Sequence, residues 1–336
     1  MNRTFLSAGM LGVASVIPQE VRKNDFWNNV KFLDLKEGKN PFDNIEERRI
    51  FPEEMLPSDA EAEAGKKAME AAGVSADEID LVMVQSMLQD EILPGNACIV
   101  QHKIGLKNAG AWTVDTCCSS FVTMVVMASN LIATGEFKKI LIITSAFNSP
   151  TIDFCDYQGC YVGDAAGAVV MGPVSEGKGY IASFCKSHGE YHKGFTLQLR
   201  KPALYDRRHY MPSLEKLLLT FDKDLIREIG KGSVEHMKFI LDRLLEKSQL
   251  SAEDIDLFLS HQPCHWAHNA WRDSIGIAPE NSHQTFNKYG NIASATIPVN
   301  LSDAVSKGML KDGSNLLIAS SGAGENHIAA IIKWGR

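Results

Sequence analysis

The sequence contains an internal repeat with a single offset. Residues 75–81 read Ser-Ala-Asp-Glu-Ile-Asp-Leu, and residues 251–257, which lie 176 positions later, read Ser-Ala-Glu-Asp-Ile-Asp-Leu. The apolar residues at 140–145 match those at 316–321 at the same offset. Because two separate segments share one offset, we interpret the chain as two versions of one structural unit.

Each unit has the pattern of an α/β fold. A helical segment leads into the repeated turn, and a short apolar strand follows it. Helices that alternate with nearly continuous apolar strands are typical of parallel sheets covered on both faces. The helix expected at 119–133 carries almost no charge, so we predict that it is buried on all sides between two sheets.

The repeat also divides the chain. We expect the two units to span residues 1–175 and 176–336. The segment at 187–231 is rich in charged and aromatic residues and breaks the repeat, so we interpret it as an insertion near the substrate entrance. Residues 1–17 have a slight likeness to a signal peptide, but they contain two glycines and no convincing cleavage site. We interpret them as a first buried strand and turn.

The composition excludes several classes of function. Of the 336 residues, 45% are hydrophobic and 22% are charged, as in an ordinary globular protein, and the net charge of −7 offers no basic surface to nucleic acid. No apolar run is long enough to span a membrane. The seven cysteines are an odd number, which favours reduced thiols over a disulfide framework. We therefore expect a cytoplasmic protein without nucleic-acid or membrane partners.

Cys118 lies where the strand expected at 111–115 gives way to a helix. A thiol at a helix N-terminus faces unpaired backbone N–H groups and the positive end of the helix dipole, which favour the thiolate. Such a cysteine is a candidate nucleophile. The alternative is a small buried apolar residue, the usual state of a free cysteine. Of the adjacent pair, we favour Cys118 as the nucleophile and Cys117 as a packing residue.

The repeat relates Cys118 to two further polar residues. The position 176 residues after Cys118 is Ser294, which comes just after Asn291. The same shift takes Gln85 to His261, which follows the end of its strand. Sites in α/β sheets form at the carboxyl ends of strands. If the two units pack with approximate twofold symmetry, Cys118, His261 and Asn291 meet at one place.

A metal site is the alternative for the histidines. His261, Cys264, His265 and His268 have spacings that a metal ion could use, and Cys185, His188 and His192 raise the same possibility. The sequence has no Cys-x-x-Cys and no His-Glu-x-x-His motif, and a proline interrupts 261–268. We therefore expect no metal.

Two glycine-rich segments allow more than one interpretation. The residues at 163–168 lack the lysine and the following helix of a phosphate-binding loop, so we interpret them as a tight turn with close strand packing. The residues at 321–324 offer a run of backbone N–H groups that could form half of an oxyanion hole.

At this point several segments together resemble a known family, the ketoacyl-acyl-carrier-protein synthase III group of the thiolase-like superfamily. The likeness extends over nearly the whole chain, with the segments in the family's order. They are residues 111–121 around Cys118, 163–168, 261–262, 289–295 around Asn291, and 322–324.

The resemblance implies a five-layer αβαβα fold built from two repeated α/β halves, a homodimer, and a Cys-His-Asn triad. Cys118 would accept an acyl group from a thioester carried by coenzyme A or by an acyl carrier protein. His261 and Asn291 would bind the carbonyl of a malonyl-type extender and stabilise the enolate formed as CO2 leaves. The backbone N–H groups of Cys118 and Ala323 would hold the tetrahedral oxyanion. No bound cofactor is implied.

The chain also departs from the family pattern. Residues 33–49 show no evident Trp and Arg clamp for the adenine of coenzyme A, and Trp266 replaces an arginine common after the catalytic histidine. These differences favour a role in specialised metabolism. Three alternatives stay open: a non-decarboxylative acyltransferase that passes the acyl group to a hydroxyl, amine or carbon nucleophile, a non-catalytic partner subunit, and a zinc enzyme that uses the histidines at 261–268.

Overall fold

The strands of the protein are short and mostly apolar. The computed structural model describes residues 6–32, 35, 40–153, 155–199 and 217–336. The strands are β1 (Ala8–Val16), β2 (Glu20–Lys23), β3 (Glu47–Ile50), β4 (Leu81–Ser86), β5 (Gly110–Thr113), β6 (Ile140–Ala146), β7 (Ala165–Pro173), β8 (Gly179–Ser187), β9 (Phe195–Leu199), β10 (Leu217–Phe221), β11 (Leu257–Ser260), β12 (Asn315–Gly322) and β13 (Asn326–Lys333).

The helices lie between and outside the sheets that these strands form. They are α1 (Pro57–Ala72), α2 (Asn96–Ile104), α3 (Ser120–Ala133), α4 (Lys223–Ser248), α5 (Ala267–Ser274), α6 (Phe286–Tyr289) and α7 (Thr296–Ser306). Two 3₁₀ turns precede α3 and α7, the Cys117 turn (Cys117–Ser119) and the Ala293 turn (Ala293–Ala295). Among the helices of the described residues, none has an apolar stretch long enough to cross a lipid bilayer.

The two main sheets have the same strand order. The first runs β1-β7-β6-β4-β5, and the second runs β8-β13-β12-β11. In each sheet the pairs at one end of this order are antiparallel, as in β1 with β7 and β8 with β13. The pairs at the other end are parallel, as in β4 with β5 and β11 with β12. The sheets are therefore mixed, not parallel throughout as predicted. The link between β12 and β13 is three residues long, which is too short for the crossover that parallel strands need.

The layers alternate between helices and sheets, so that five layers are stacked. Helix α1 packs on the outer face of the first sheet, and α4 packs on the outer face of the second. Helices α3 and α7 lie between the sheets, where apolar side chains from both sheets enclose α3. The order is helix, sheet, helix, sheet, helix, which is the predicted αβαβα fold.

The central helix α3 differs from the prediction on one face. Most of its side chains are buried, as expected from its lack of charge. The side chains of Thr123, Val126 and Met127 are only half-buried, and Asn130 is exposed. These four positions follow the helical spacing of three and four residues, so they form one stripe along α3. The prediction of a helix buried on all sides is wrong for this stripe.

Candidate active site

Cys118 lies in the Cys117 turn, between β5 and α3. Its side chain is 7% exposed. Cys117, just before it, has a φ of 55°, in the left-handed region that residues other than glycine seldom adopt. Ala293, which occupies the equivalent position of the repeat, has a φ of 44°. The same strained turn thus introduces both central helices, and in the first unit it places Cys118 immediately before α3.

The end of β12 packs tightly against the Cys117 turn. A Cβ atom on Gly322 would lie 2.8 Å from Ser119 Oγ and 2.9 Å from the Ser119 backbone nitrogen, so a side chain cannot be accommodated without movement. Ser320 Oγ, in the same strand, donates a hydrogen bond to the Cys118 carbonyl oxygen at 2.9 Å. This close approach brings the backbone of Ala323 next to the two thiols.

The surroundings of Cys118 keep its thiol protonated. The Cys117 thiol, with its Sγ 3.9 Å away, and burial raise the pKa of Cys118 well above its usual value. The backbone N–H of Ala323 donates toward the Cys118 sulfur and acts to lower this pKa. Burial and the Cys117 thiol thus act against the thiolate that a helix N-terminus favours, and a neighbouring base would offset them.

His261 is the first residue after β11 and is held by its backbone and by both ring nitrogens. The backbone N–H of His261 donates to the Ala319 carbonyl at 2.9 Å, which continues the β11–β12 ladder. Its Nδ1 lies 2.8 Å from the Ser321 carbonyl oxygen, and its Nε2 lies 3.2 Å from Asn291 Oδ1. Burial lowers the pKa of His261 to about 4, although both oxygens act to raise it. The ring is therefore neutral at pH 7 and can accept a proton.

Asn291 is positioned by contacts between the two halves of the chain. Its N–H donates to the Tyr161 carbonyl at 2.6 Å, and its carbonyl accepts the Gly163 N–H at 3.2 Å. Its Oδ1 also accepts the Ala293 N–H at 2.9 Å, which fixes the orientation of the amide. A Cβ atom on Gly163 would clash with the Tyr289 carbonyl oxygen. A Cβ atom on Gly167, within β7, would likewise lie 2.8 Å from Pro298, so the close strand packing predicted for 163–168 is present, while residues 163–164 lead into β7 without a turn.

One cavity of about 430 Å³ borders all the candidate residues. Cys118, His261, Asn291 and Ala323 line it together. The rest of its wall is largely apolar, with side chains from distant parts of the chain: Tyr161, Phe195, Phe221, Ile226, Ile229 and Trp266. Several of these come from the segment predicted as an insertion near the substrate entrance, of which residues 200–216 lie outside the described residues.

The residues considered for a metal at 261–268 take separate positions. His261 belongs to the group around Cys118, while Cys264 and His265 line the cavity. His268 Nδ1 lies 2.9 Å from Ser260 Oγ, and its ring packs on Phe258. Residues 33–49, in which the sequence shows no evident adenine clamp, lie partly outside the described residues.

Glu325 is a further polar residue of the site that no sequence motif indicated. This carboxyl group lines the cavity two residues after Ala323 and is 6% exposed. Burial raises its pKa to about 7, and Ser321 Oγ donates to it at 3.2 Å. The indication in the sequence was a charged residue directly before the apolar strand β13.

The chain is similar to known proteins along its whole length. The family model described as 3-oxoacyl-[acyl-carrier-protein (ACP)] synthase III matches residues 113–189, and its C-terminal counterpart matches 245–334. The model of the thiolase N-terminal domain matches residues 47–144. The β-ketoacyl-[acyl-carrier-protein] synthase III of Listeria monocytogenes is 33% identical over 333 residues, which cover 98% of this chain and 100% of the relative.

Solved structures show the same fold. The β-ketoacyl-[acyl carrier protein] synthase III from Thermus thermophilus has a TM-score of 0.84 and 28% identity, covering 97% of this chain and 99% of that chain. A priming β-ketosynthase of a polyketide biosynthetic pathway has a TM-score of 0.87 at 22% identity, covering 99% of this chain and 98% of that one. With this fold, and with identity of 33% to a full-length relative, the chain belongs to the β-ketoacyl-[acyl-carrier-protein] synthase III family of the thiolase-like superfamily.

Proposed function

We propose that this chain is a condensing enzyme that works in two stages. An acyl group is first loaded from a thioester onto Cys118. It is then joined to a malonyl-type thioester by a decarboxylative Claisen condensation, or to a β-keto thioester by a Claisen condensation in which the α-carbon loses a proton. The observation that carries the proposal is the single cavity on which Cys118, His261, Asn291 and Ala323 converge. These residues supply a nucleophile, a base and hydrogen-bond donors within one largely apolar site.

The loading stage begins with proton transfer. The neutral ring of His261 takes the proton of the Cys118 thiol at Nε2, and the thiolate attacks the carbonyl carbon of the acyl thioester. The backbone N–H groups of Cys118 and Ala323 stabilise the negative oxygen of the tetrahedral intermediate. When the intermediate collapses, the thiolate of coenzyme A or of the carrier protein leaves and takes the proton back from His261. Acyl-Cys118 and a free thiol are the products.

The condensation stage uses Asn291. Its Oδ1 is occupied by the Ala293 N–H, and its Nδ2 has no protein acceptor among the described hydrogen bonds. We assign this Nδ2 to the thioester carbonyl of the extender, whose carboxylate leaves as CO2 while its bonding electrons form an enolate. The enolate carbon attacks acyl-Cys118, and the Cys118 thiolate leaves and is protonated. The product is a β-ketoacyl thioester.

The apolar wall of the cavity supports a hydrocarbon or aromatic acyl group as the substrate. Aromatic and aliphatic side chains form most of the surface that an acyl chain on Cys118 would meet. Because Trp266 stands where the family commonly has an arginine, we place the chain in specialised polyketide-like or fatty-acid-like metabolism. The donor is an acyl thioester of coenzyme A or of an acyl carrier protein. We also propose a cytoplasmic homodimer, in keeping with its seven free cysteines.

Mass spectrometry of the intact protein tests the loading stage. Wild-type protein incubated with a panel of acyl thioesters should gain the mass of one acyl group, while Cys118→Ala should gain none. Cys98→Ala, which removes an exposed thiol on α2, is the matched control and should load like the wild type. If no donor adds mass in a Cys118-dependent way, the chain is a non-catalytic subunit and the proposal fails.

Release of CO2 tests the condensation stage. Acyl-loaded protein mixed with a carboxyl-labelled malonyl thioester should release labelled CO2 in proportion to the β-keto product. Acyl transfer to a hydroxyl or amine without CO2 release would instead establish the non-decarboxylative acyltransferase.

A further inference from the structure

Three histidines pack together on the side of the second sheet that faces α4. His236 comes from α4, His327 from β13, and His188 from the segment after β8. The rings of His188 and His236 are stacked with centroids 3.9 Å apart, and the His327 ring is nearly perpendicular to both at 5.7 Å. These elements are far apart in the sequence, so the spacing of Cys185, His188 and His192 indicated His188 alone and neither His236 nor His327.

The polar atoms of this cluster lack protein partners. Both ring nitrogens of His327, Nδ1 of His236 and Oε2 of Glu325 are buried and have no hydrogen bond within the described part of the chain. His327 is 2% exposed. Buried polar groups in folded proteins are nearly always satisfied, so four orphaned atoms at one place indicate a missing ligand.

The unpartnered groups face one another at short range. His236, Glu325 and His327 each offer one ligand atom, and these atoms lie within 4.8 Å of one another. Glu325 Oε2 and His327 Nε2 are 3.8 Å apart. In a tetrahedral zinc site with bonds of about 2.0–2.2 Å, neighbouring ligand atoms are roughly 3.3–3.6 Å apart. Small side-chain movements would bring all three atoms to this spacing.

We propose that His236, Glu325 and His327 form a binding site for a divalent transition metal, with Zn²⁺ as the best match. Two imidazoles and one carboxylate are a common zinc ligand set, and they leave a fourth position for water. Hard cations such as Mg²⁺ and Ca²⁺ prefer oxygen ligands and fit this set poorly.

The backbone around the site is already braced. The His188 N–H donates to the Glu325 carbonyl at 2.8 Å, and the Glu325 N–H donates to the His188 carbonyl at 3.0 Å. The His188 ring, stacked on His236, restricts the orientation of that ligand. Partners that orient ligand side chains in this way are typical of metal sites.

The site lies beside the catalytic cavity and takes no part in the proposed reaction. Glu325 lines that cavity and follows Ala323 by two residues. A bound ion would tie α4 to the segment between β12 and β13, and so hold the Ala323 N–H in place. The metal site goes beyond the proposed function and is independent of it, so either can be present without the other.

Cobalt and zinc titrations of metal-free full-length protein test the proposal. We expect one equivalent of Co²⁺ per chain, with the strong visible absorption of tetrahedral coordination, and displacement of Co²⁺ by Zn²⁺. His236→Ala and Glu325→Gln should weaken binding by at least about 100-fold. His102→Ala, which removes an exposed histidine on α2, should bind like the wild type.

Three results would overturn the proposal. One is binding weaker than about 10 μM in the wild type. Another is binding that His236→Ala and Glu325→Gln leave unchanged. The third is near-ultraviolet thiolate-to-cobalt absorption, which would assign the ion to cysteines. In each case the histidines are a packed group of rings that holds no ion. Because His236 is half-buried on a helix surface, its variant tests the site even if a change at His327 prevents folding.

Discussion

At the scale of single residues, the position of His261 between two acceptors determines how it acts. A neutral imidazole has one N–H, so it can satisfy only one of Ser321 O and Asn291 Oδ1. Burial nevertheless keeps the resting ring neutral. In the proposed loading stage the ring takes a proton from Cys118, and it then gains the second hydrogen bond and an adjacent thiolate. The two acceptors therefore favour the ion pair that the reaction needs, in a site where an isolated charge is costly.

Asn291→Ala should separate the two stages of the proposed reaction. The variant loses the Nδ2 donor to the enolate oxygen, and we expect condensation with CO2 release to fall by about 10²–10³. Loading of Cys118 should stay within several-fold of the wild type, because His261 keeps its Ser321 contact. Single-turnover loading by mass spectrometry and CO2 release measured on the same samples check this. Equal losses in both stages would contradict the assignment of Asn291.

His268 should make the stability of the protein depend on pH. Burial lowers the pKa of His268 in the folded state from 6.5 to about 3. Between pH 6.5 and pH 3 His268 is protonated in the unfolded chain but not in the folded protein. Protonation therefore favours the unfolded chain, and the free energy of unfolding falls as the pH drops below 6.5. From pH 7 to pH 5 the wild type should lose roughly 2 kcal/mol more stability than His268→Gln.

Urea denaturation of both proteins at the two pH values measures this difference. Because buried carboxyl groups such as Glu61, whose pKa burial raises to about 7, act in the opposite direction, only the difference between the two proteins is informative. His102→Gln, at an exposed position, should behave like the wild type. A pH dependence shared by all three proteins would rule out the assigned role of His268.

At the scale of elements, the two 3₁₀ turns show what the repeat could predict. Cys117 and Ala293 lie 176 positions apart, and both have a positive φ just before a central helix. The offset alone thus related the Cys117 turn, which holds Cys118, to the Ala293 turn, which follows Asn291. The mixed strand directions could not be predicted from the repeat. They depend on links such as the three residues between β12 and β13, and the pattern of apolar residues does not define the length of such a link.

Gly322→Ala should impair activity more than stability. Its Cβ would press on Ser119 Oγ and the Ser119 nitrogen, so β12 or the Cys117 turn must move, together with the N–H of Ala323. We expect acyl loading to slow by at least about tenfold, since displacement of a single oxyanion donor costs this much or more. Gly189→Ala, whose Cβ would meet nothing within 4 Å, is the matched control. Rates of Cys118 acylation and thermal unfolding of both variants provide the comparison.

At the scale of the whole molecule, the sequence predicted the layers better than the walls of the site. Apolar strands and an uncharged helix indicated a helix buried between two sheets, because burial of these elements follows directly from their composition, and the family resemblance implied the full αβαβα stacking. The cavity wall and the histidine cluster could not be predicted in this way. His236 and Glu325 meet only because α4 packs against β13, and neither has a local motif that indicates its partner.

The free edge of the first sheet is the surface that we expect to form the homodimer. Strand β5 pairs only with β4 among the described strands. The N–H groups of Gly110 and Val114 donate toward β4, so by alternation that of Thr113 points away from the sheet. Trp112, in this strand, is 40% exposed, and its ring contacts that of Phe137 with centroids 5.7 Å apart. An edge with apolar surroundings is a place where a second copy can pair.

Thr113→Pro tests this edge. The variant removes one outward N–H while the ladder with β4 keeps its donors, so we expect the dimer dissociation constant to rise by at least about tenfold. Thr113→Val keeps the N–H at nearly the same side-chain volume and should stay dimeric. Light scattering over a dilution series gives the mass of each protein. A wild type with the mass of one chain at all concentrations would exclude the homodimer. A Thr113→Pro dimer as stable as the wild type would place the interface elsewhere.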